Sequence, residues 1–377
     1  MEKATRWMGA VVVVALVMGA QIAQASNTYL FQDLGHLGGG SSQALGINEN
    51  RQVVGKTRDG NLNLQSFLWT TDKGMSCLLN DSVARKVNNF GQMVGELYVS
   101  GHYQALFWTS PGSYQTLGTL GGQDSLAYAI NDQGRIVGYS DVLANTYPYT
   151  RQHAFLWTEG AGMQDLGTLG GYHSIAYSLN NLTQVAGRAE VSGGNYHAFL
   201  WDESHGLQDL TLVGVLGINS VARDINNLGQ VVGNFFYDPL NPQYYANAFL
   251  WSPTGGFVDL GNLGGYYCQA NAINDRGIVV GHAVSSHWQH AFIWTPETGI
   301  KDLNDLVMGA HDPIVDVFDI NNAGEIVGVT AGNHACLLVP LIPDPTPTPV
   351  PSSLVLLGSG LGGLLACRGV RHRKARN

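Results

Sequence analysis

The chain predicts an all-β fold, a seven-bladed β-propeller whose ring is closed by pairing of an N-terminal strand with the last blade. Three observations carry that prediction. The phrase I-N-x-x-G-x-V-V-G, or a close variant, occurs seven times, closing on Gly55, Gly95, Gly138, Gly187, Gly233, Gly281 and Gly328. Successive glycines are 40, 43, 49, 46, 48 and 47 residues apart, the period of propeller blades and of some helical solenoids. The two ends of the array also complement each other, as a ring requires and a capped solenoid does not.

Each unit reads in a constant order. S-x-A opens it, as in Ser125 to Ala127, Ser174 to Ala176 and Ser220 to Ala222, and leads into the asparagine phrase. A variable polar stretch follows the V-V-G glycine. Next comes HAFLW or a relative, ending on Trp69, Trp108, Trp157, Trp201, Trp251 or Trp294, and D-L-G-x-L-G-G closes the unit, clearest at Asp165 to Gly171 and Asp259 to Gly265. These segments are short, alternating and rich in Val, Ile, Phe, Trp and Ala, with Asn, Asp and Gly between them, so they predict four strands joined by tight turns and exclude helical repeats. The 49 glycines fall mostly at matching places in each unit, where turns call for positive φ.

The seventh unit runs from Val315 to His334-Ala335-Cys336-Leu337-Leu338 and lacks its D-L-G strand. Tyr29 to Gly35, YLFQDLG, is a D-L-G strand with no tryptophan strand before it. Joined, the ends make one blade, so the N-terminal strand is expected to pair with Ala335 to Val339 and remove an exposed edge.

The recurring polar residues read as structural. Asn48, Asn88, Asn131, Asn180, Asn226, Asn274 and Asn321 suit turns, because their side chains hydrogen-bond the backbone two residues on. His153, His197, His290 and His334 open the tryptophan strand, and Gln65, Gln104 and Asn247 take their place elsewhere. A hydrogen-bonding group present once per blade fits a strand-to-strand fastener. A repeat-borne calcium site needs several oxygen ligands, yet Asn88-Asn89-Phe90-Gly91 and Asn226-Asn227-Leu228-Gly229 carry no acid. No metal, cofactor or catalytic residue is therefore assigned. The G-x-S-x-G, H-E-x-x-H and P-loop motifs are missing.

Candidate ligand contacts lie where the repeat is broken. Asp141 to Gln152 holds Tyr147 and Tyr149, Phe235 to Asn247 holds Tyr237, Tyr244 and Tyr245, and Ser285 to Gln289 holds His287 and Trp288. All three insertions join the V-V-G strand to the tryptophan strand, so they leave a propeller on one face. Tyrosine and tryptophan rings stack on sugars and amides bridge hydroxyls; aromatic packing between long loops is the equal alternative.

Composition fits a folded body, with 45% hydrophobic and 12% charged residues. Without residues 1–25 and the basic tail the chain keeps 12 basic and 27 acidic residues, a net of -15, which makes nucleic acid an unfavourable partner. Cys77, Cys268 and Cys336 lie in the ring and Cys367 in the tail. None has metal-ligand spacing, and burial as a small apolar residue is the expectation.

Residues 1–25 have the layout of a secretory signal: Lys3 and Arg6, an apolar run from Met8 to Ala20, and Ala23-Gln24-Ala25 for cleavage. Residues 26–340 form the ring and 341–351 a Pro-rich, stiff linker. Residues 352–377 hold an apolar stretch, Leu354 to Cys367, expected to be an anchor helix, and then five Lys or Arg. Those 14 residues fall short of the about 20 that usually span a bilayer, so the span is thin or transient, with its basic end cytoplasmic.

This tail resembles the PEP-CTERM sorting signal of Gram-negative, exopolysaccharide-making bacteria, through Pro349-Val350-Pro351-Ser352-Ser353, Leu356 to Leu361 and the arginine cluster. Val350 stands where the name-giving glutamate of that family would be. The resemblance implies export, an exosortase-type sorting protease as partner, inner-membrane anchorage through the C-terminal helix, and release to the cell surface or matrix. Residues 29 to 338 resemble the HAF family of extracellular repeats, through His153-Ala154-Phe155, His197-Ala198-Phe199 and His290-Ala291-Phe292. That likeness implies a secreted repeat protein and brings no activity with it.

The expected function is that of an exported cell-surface or matrix binding protein, associated with exopolysaccharide, whose glycan or protein ligand sits on the Tyr-rich face. A secreted polysaccharide lyase or hydrolase is the alternative, and would need acids such as Glu96, Asp141, Glu190, Asp238 and Asp312 to cluster. A purely structural matrix component is the third.

Overall fold

The computed structural model describes residues 28–143, 151–210, 219–236, 246–285 and 288–341. The expected signal segment, the expected linker beyond Leu341 and the expected sorting segment with its anchor helix lie outside the described residues. Among the described residues no helix is long and apolar enough to cross a membrane.

Seven antiparallel sheets form the ring, six of four strands and one of five. Blade 1 consists of Gly38–Ile47, Val53–Asp59, Leu64–Thr70 and Gly74–Asn80, in that spatial order, and blades 2 to 7 follow in chain order from the inner strands Ser82–Val87, Gly121–Ile130, Gly170–Leu179, Asn219–Ile225, Cys268–Ile273 and Ile314–Ile320. The first strand of each blade, carrying S-x-A and the asparagine, is innermost and lines the channel. V-V-G, tryptophan and D-L-G strands follow outward, so the four strands expected per unit are present.

The tryptophan strand shows why a continuous apolar run is needed in a half-polar chain. Ala154, Phe155, Leu156 and Trp157 are all buried, because a blade has a neighbour against each face and alternate side chains point to opposite faces. Phe155 and Trp157 pack against Val94, Ala105 and Phe107 of blade 2. Ala154 and Leu156 pack against Ala176, Val185 and Phe199 of blade 4. Seven such clusters fill the seven seams. Trp69, Trp108, Trp157 and Trp201 are buried, whereas Trp251 and Trp294 are half-buried at the edges of their clusters.

The ring closes as the termini predict. Tyr29–Asp33 runs antiparallel to Ala335–Pro340, with Phe31 opposite Leu338. A further two-residue strand, Val307–Met308, lies parallel on its outer side, so the latch has partners on both edges. Too short to show a pattern, this strand is not legible in the sequence. Its position is set by a 3-10 turn, Leu303–Leu306, and by Asn304, whose amide holds both the N–H and the C=O of Ile314 (2.8 and 3.0 Å).

At the closing seam the contacts are those of the internal seams. Ser42 Oγ donates to Gly35 O and accepts from Ala335 N, as Ser125 does with Gly118 and Ala105, and Ser174 with Gly167 and Ala154. The serine of S-x-A is thus a staple to the preceding blade.

Positive φ is found at the turn glycines as expected, among them Gly91 and Gly134 of N-x-x-G. The V-V-G glycines serve close approach: a Cβ on Gly95 would lie 1.8 Å from Val83 O, where the inner strand bulges toward it. One expectation needs correction. Cys77 is exposed, because its strand is the outermost of blade 1 and half its side chains face solvent. Cys268 and Cys336 are buried, and burial pushes both thiols up to about 12.

Candidate functional site

The two faces of the ring differ in kind. The N-x-x-G turns all lie on one, the turn face. Connections between V-V-G and tryptophan strands lie on the other, the loop face.

On the turn face the asparagines do more than shape turns. Asn88 Oδ1 accepts from Phe90 N and Gln92 N (3.1 and 2.9 Å), the Asx pattern expected of it. Its Nδ2 donates across the seam to Asn131 O. The same bond recurs at every seam, from Asn48 to Asn88, Asn131, Asn180, Asn226, Asn274, Asn321 and back to Asn48, at 2.8 to 3.2 Å. A second circle runs beside it. The backbone N–H of Glu49, Asn89, Asp132, Asn181, Asn227, Asp275 and Asn322 each donates to the side-chain oxygen of the next, at 2.8 to 3.0 Å. Two closed belts of hydrogen bonds therefore tie the blades together around the narrow end of the channel. Asp132 and Asp275 spend their second oxygens on flanking asparagine amides.

The histidine column is likewise a fastener. His153 bonds Asp165, His197 bonds Asp209 and Asn247 bonds Asp259 across the outer strand pair, at 2.8 to 3.0 Å. Gln65 bonds Asn80 (2.8 Å), and His290 and His334 reach Asp302 and Asp33. Burial opposes ionisation of Asp165, but the bonds from His153 and from Gly167 N outweigh it and hold the carboxyl below its usual range.

The channel widens toward the loop face into a cavity of about 370 Å³. It is lined by two columns of the repeat that do not repeat chemically. The residue after the S-x-A alanine is Leu45, Arg85, Tyr128, Tyr177, Arg223, Asn271 or Phe318; Lys86, Ala129, Ser178 and Asp224 come from the next column. A bulge at this point of the inner strands, Ala84/Lys86, Ala127/Ala129, Ala176/Ser178 and Ala222/Asp224, turns two consecutive residues to the channel, while the alanine before them packs into the seam.

Two polar pairs form the floor. Lys86 Nζ reaches Asp319 Oδ1 at 2.6 Å, and Ser178 Oγ donates to Asp224 Oδ1 at 2.5 Å. Burial would lower Lys86, but the charges of Asp319 and Asp224 raise it on balance. Asp224 is pushed up by burial and by Asp319, against the pull of Lys86. Above the floor, Arg85 grips Glu96 through two bonds (2.5 and 2.7 Å) and lies over Tyr128 at 4.9 Å. Arg223 lies over Tyr177 at 4.8 Å and donates to Gln269 Oε1 at 3.1 Å. Its Nε is buried without a partner among the described residues, as are Arg188 Nε and both amide atoms of Asn234 on blades 4 and 5.

Of the candidate contacts at the insertions, Trp288 is described: it begins a tryptophan strand on the loop face and is 75% exposed. Tyr147, Tyr149, Tyr237, Tyr244, Tyr245 and His287 lie outside the described residues. Trp288 is not alone on this face. Leu62, Tyr98, Tyr103 and Leu143 are exposed in the corresponding connections of blades 1 to 3, and Tyr172 and Tyr266 where inner strands of blades 4 and 6 begin. Tyr98 and Tyr103 pack at 5.0 Å.

The acids considered for catalysis have separate partners. Glu96 is held by Arg85, Glu190 accepts from Tyr172 N (2.8 Å), and Asp312 lies against Gly332. Asp141 faces Asp124, whose N–H it accepts at 3.4 Å, and burial followed by that neighbour's charge raises it. Asp238 lies outside the described residues.

No family model matches the chain, and no curated protein sequence matches it. Solved structures do. The β-propeller domain of the Trilobed protease from Pyrococcus furiosus aligns with 71% of this chain and 82% of its own, at 10% identity and a TM-score of 0.51. A catalytically inactive virginiamycin B lyase from Staphylococcus aureus, solved with quinupristin, aligns over 83% of this chain and 100% of its own, at 12% identity and a TM-score of 0.52. A puromycin hydrolase variant aligns over 78% of this chain but 50% of its own, at 12% identity and a TM-score of 0.51. At these identities the likeness is one of fold. The Pyrococcus domain is described as having an open velcro topology, whereas Tyr29–Asp33 closes the ring here.

Proposed function

We propose that this protein is an exported cell-surface or extracellular-matrix binding protein that holds a glycan on its loop face. The observation that supports this reading best is the pairing of exposed aromatics around that face with a donor-rich cavity at its centre. Tyr98, Tyr103, Tyr172, Tyr266 and Trp288 offer ring surfaces to water, which in a folded monomer marks a contact site more than a stability device. Aromatic faces stack on the C–H side of sugar rings. The cavity adds directional hydrogen bonds of the kind that fix a ligand's orientation.

Export rests on the layout of residues 1–25, and sorting on the resemblance of residues 352–377 to a PEP-CTERM signal. In this reading an exosortase-type protease handles the tail and the Pro-rich linker holds the ring clear of the membrane.

A glycan array probed with the full chain tests the proposal. Retention that falls with Trp288→Ala and Tyr103→Ala supports it. Released product would replace it with the enzyme reading, and absence of both retention and product would leave a protein ligand or the structural-component reading.

A further inference from the structure

We infer that the central cavity on the loop face takes a carboxylate-bearing sugar, a uronate end group, with Arg223 as the residue that receives the carboxylate. This deepens the glycan-binding reading and rests on it.

Charge bookkeeping inside the cavity singles out Arg223. The other two cations of the lining are neutralised at contact distance, Arg85 by Glu96 and Lys86 by Asp319. Arg223 has no carboxylate partner among the described residues: it donates to the neutral Gln269 amide and leaves Nε buried without an acceptor. Its neighbour in sequence, Asp224, is turned to the floor, where Ser178 and the N–H of Ile273 take its two oxygens. In a body carrying a net charge of about -15, an unneutralised guanidinium facing the channel needs a reason, since carboxylates are in excess elsewhere.

The groups around Arg223 point to the same ligand class. The hydroxyls of Tyr128 and Tyr177 make no hydrogen bond to any described residue, and both tyrosines line the cavity. With their faces covered by Arg85 and Arg223, they present hydroxyl edges as donors. On the V-V-G strands paired with the inner strands of Tyr177 and Arg223, Asn234, 1% exposed, has no partner for either end of its amide among the described residues, and neither has Arg188 Nε. Buried polar atoms in native proteins are normally satisfied, so this concentration on blades 4 and 5 favours a polar occupant. A planar guanidinium matches a carboxylate in a two-bond fork, and the remaining donors match ring and hydroxyl oxygens. A cavity of about 370 Å³ is at the lower end of small-ligand sites. That room suits one sugar residue at the end of a chain whose next residues reach the aromatic rim.

The test is titration calorimetry of the full chain with galacturonate and glucuronate oligosaccharides against galactose and glucose oligosaccharides of the same length. The wild-type protein is expected to favour the acidic series by about 10- to 100-fold, the worth of one charge-assisted pair. Arg223→Gln should erase that preference by weakening the acidic series about 10- to 100-fold more than the neutral one; Arg223→Lys should keep part of it. Equal affinity for acidic and neutral oligomers in the wild type overturns the uronate assignment and leaves the glycan reading standing. Binding of neither series overturns both. The wild-type comparison needs no variant, so it stands even where Arg223→Gln folds poorly. An unchanged preference in a folded Arg223→Gln, by near-ultraviolet circular dichroism, also overturns the assignment.

Discussion

Replacing Asn180 by alanine cuts the inner belt at one seam, and its cost follows from four hydrogen bonds. Asn180 Nδ2 donates to Asn226 O across the seam (3.0 Å) and to Gln184 Oε1 (2.8 Å), while Oδ1 accepts from Leu182 N (3.0 Å) and Gln184 N (2.9 Å). Each bond is worth about 0.5–1.5 kcal/mol net, so the set of four amounts to about 2–6 kcal/mol. Relief is partial, since Asn226 O keeps its bond from Gly229 N, which argues for the lower half of that range. The adjacent Asn181→Ala is the internal control. It removes two part-buried bonds, accepted from Asp132 N and donated to Asp132 Oδ2, for about 1–2 kcal/mol. Urea unfolding followed by tryptophan fluorescence reads the difference as a shift in midpoint at unchanged slope. An Asn180→Ala midpoint no lower than that of Asn181→Ala would refute the belt as a stabilising device.

The remaining predictions concern the latch, the floor and the fasteners. Tyr29→Ala removes a fully buried side chain from the strand that closes the ring, so unfolding is expected to become easier by about 3 kcal/mol, with light scattering rising as the freed edge associates; a midpoint within experimental error of wild type would count against closure by this strand. Asp224 has a folded pKa above its unfolded one, so its contribution is most favourable below the unfolded carboxylate value and is lost as pH rises through the folded value. Asp224→Asn should therefore lie closer to or above wild type at pH 7 than at pH 4, and midpoints that track in parallel across that range would contradict this. His153→Gln should cost less than about 1 kcal/mol, because the site is partly exposed and Gln65 makes the equivalent bond in blade 1; a larger loss in the same urea assay would mean the column does more than fasten strands.

The fold was legible because its signals are local and repeated: Val-Val-Gly, His-Ala-Phe-Leu-Trp and Asp-Leu-Gly each mark a strand by themselves. The latch was legible for the same reason, since YLFQDLG reads as a D-L-G strand wherever it stands. The belts were not, because the acceptor for Asn88 Nδ2 is a carbonyl 43 residues away, brought close only once the blades stand in a ring. Nor was the cavity. Arg85, Tyr128, Tyr177 and Arg223 belong to one column of the repeat and lie outside the aromatic-rich insertions. Its signal was its variability: among positions that are mostly Ser, Ala and Ile and always Asn, the residue between them changes in charge and shape from blade to blade, which is what a channel-facing position is free to do.

Hydrogen exchange of the full chain, free and with an oligosaccharide retained on the array, tests most directly that the loop face and its cavity form the binding site. The account predicts slowed exchange in the inner strands that carry Tyr128, Tyr177 and Arg223 and in the strand opened by Trp288. Protection confined to the N-x-x-G turns of the opposite face, or to the outer strands, would contradict it.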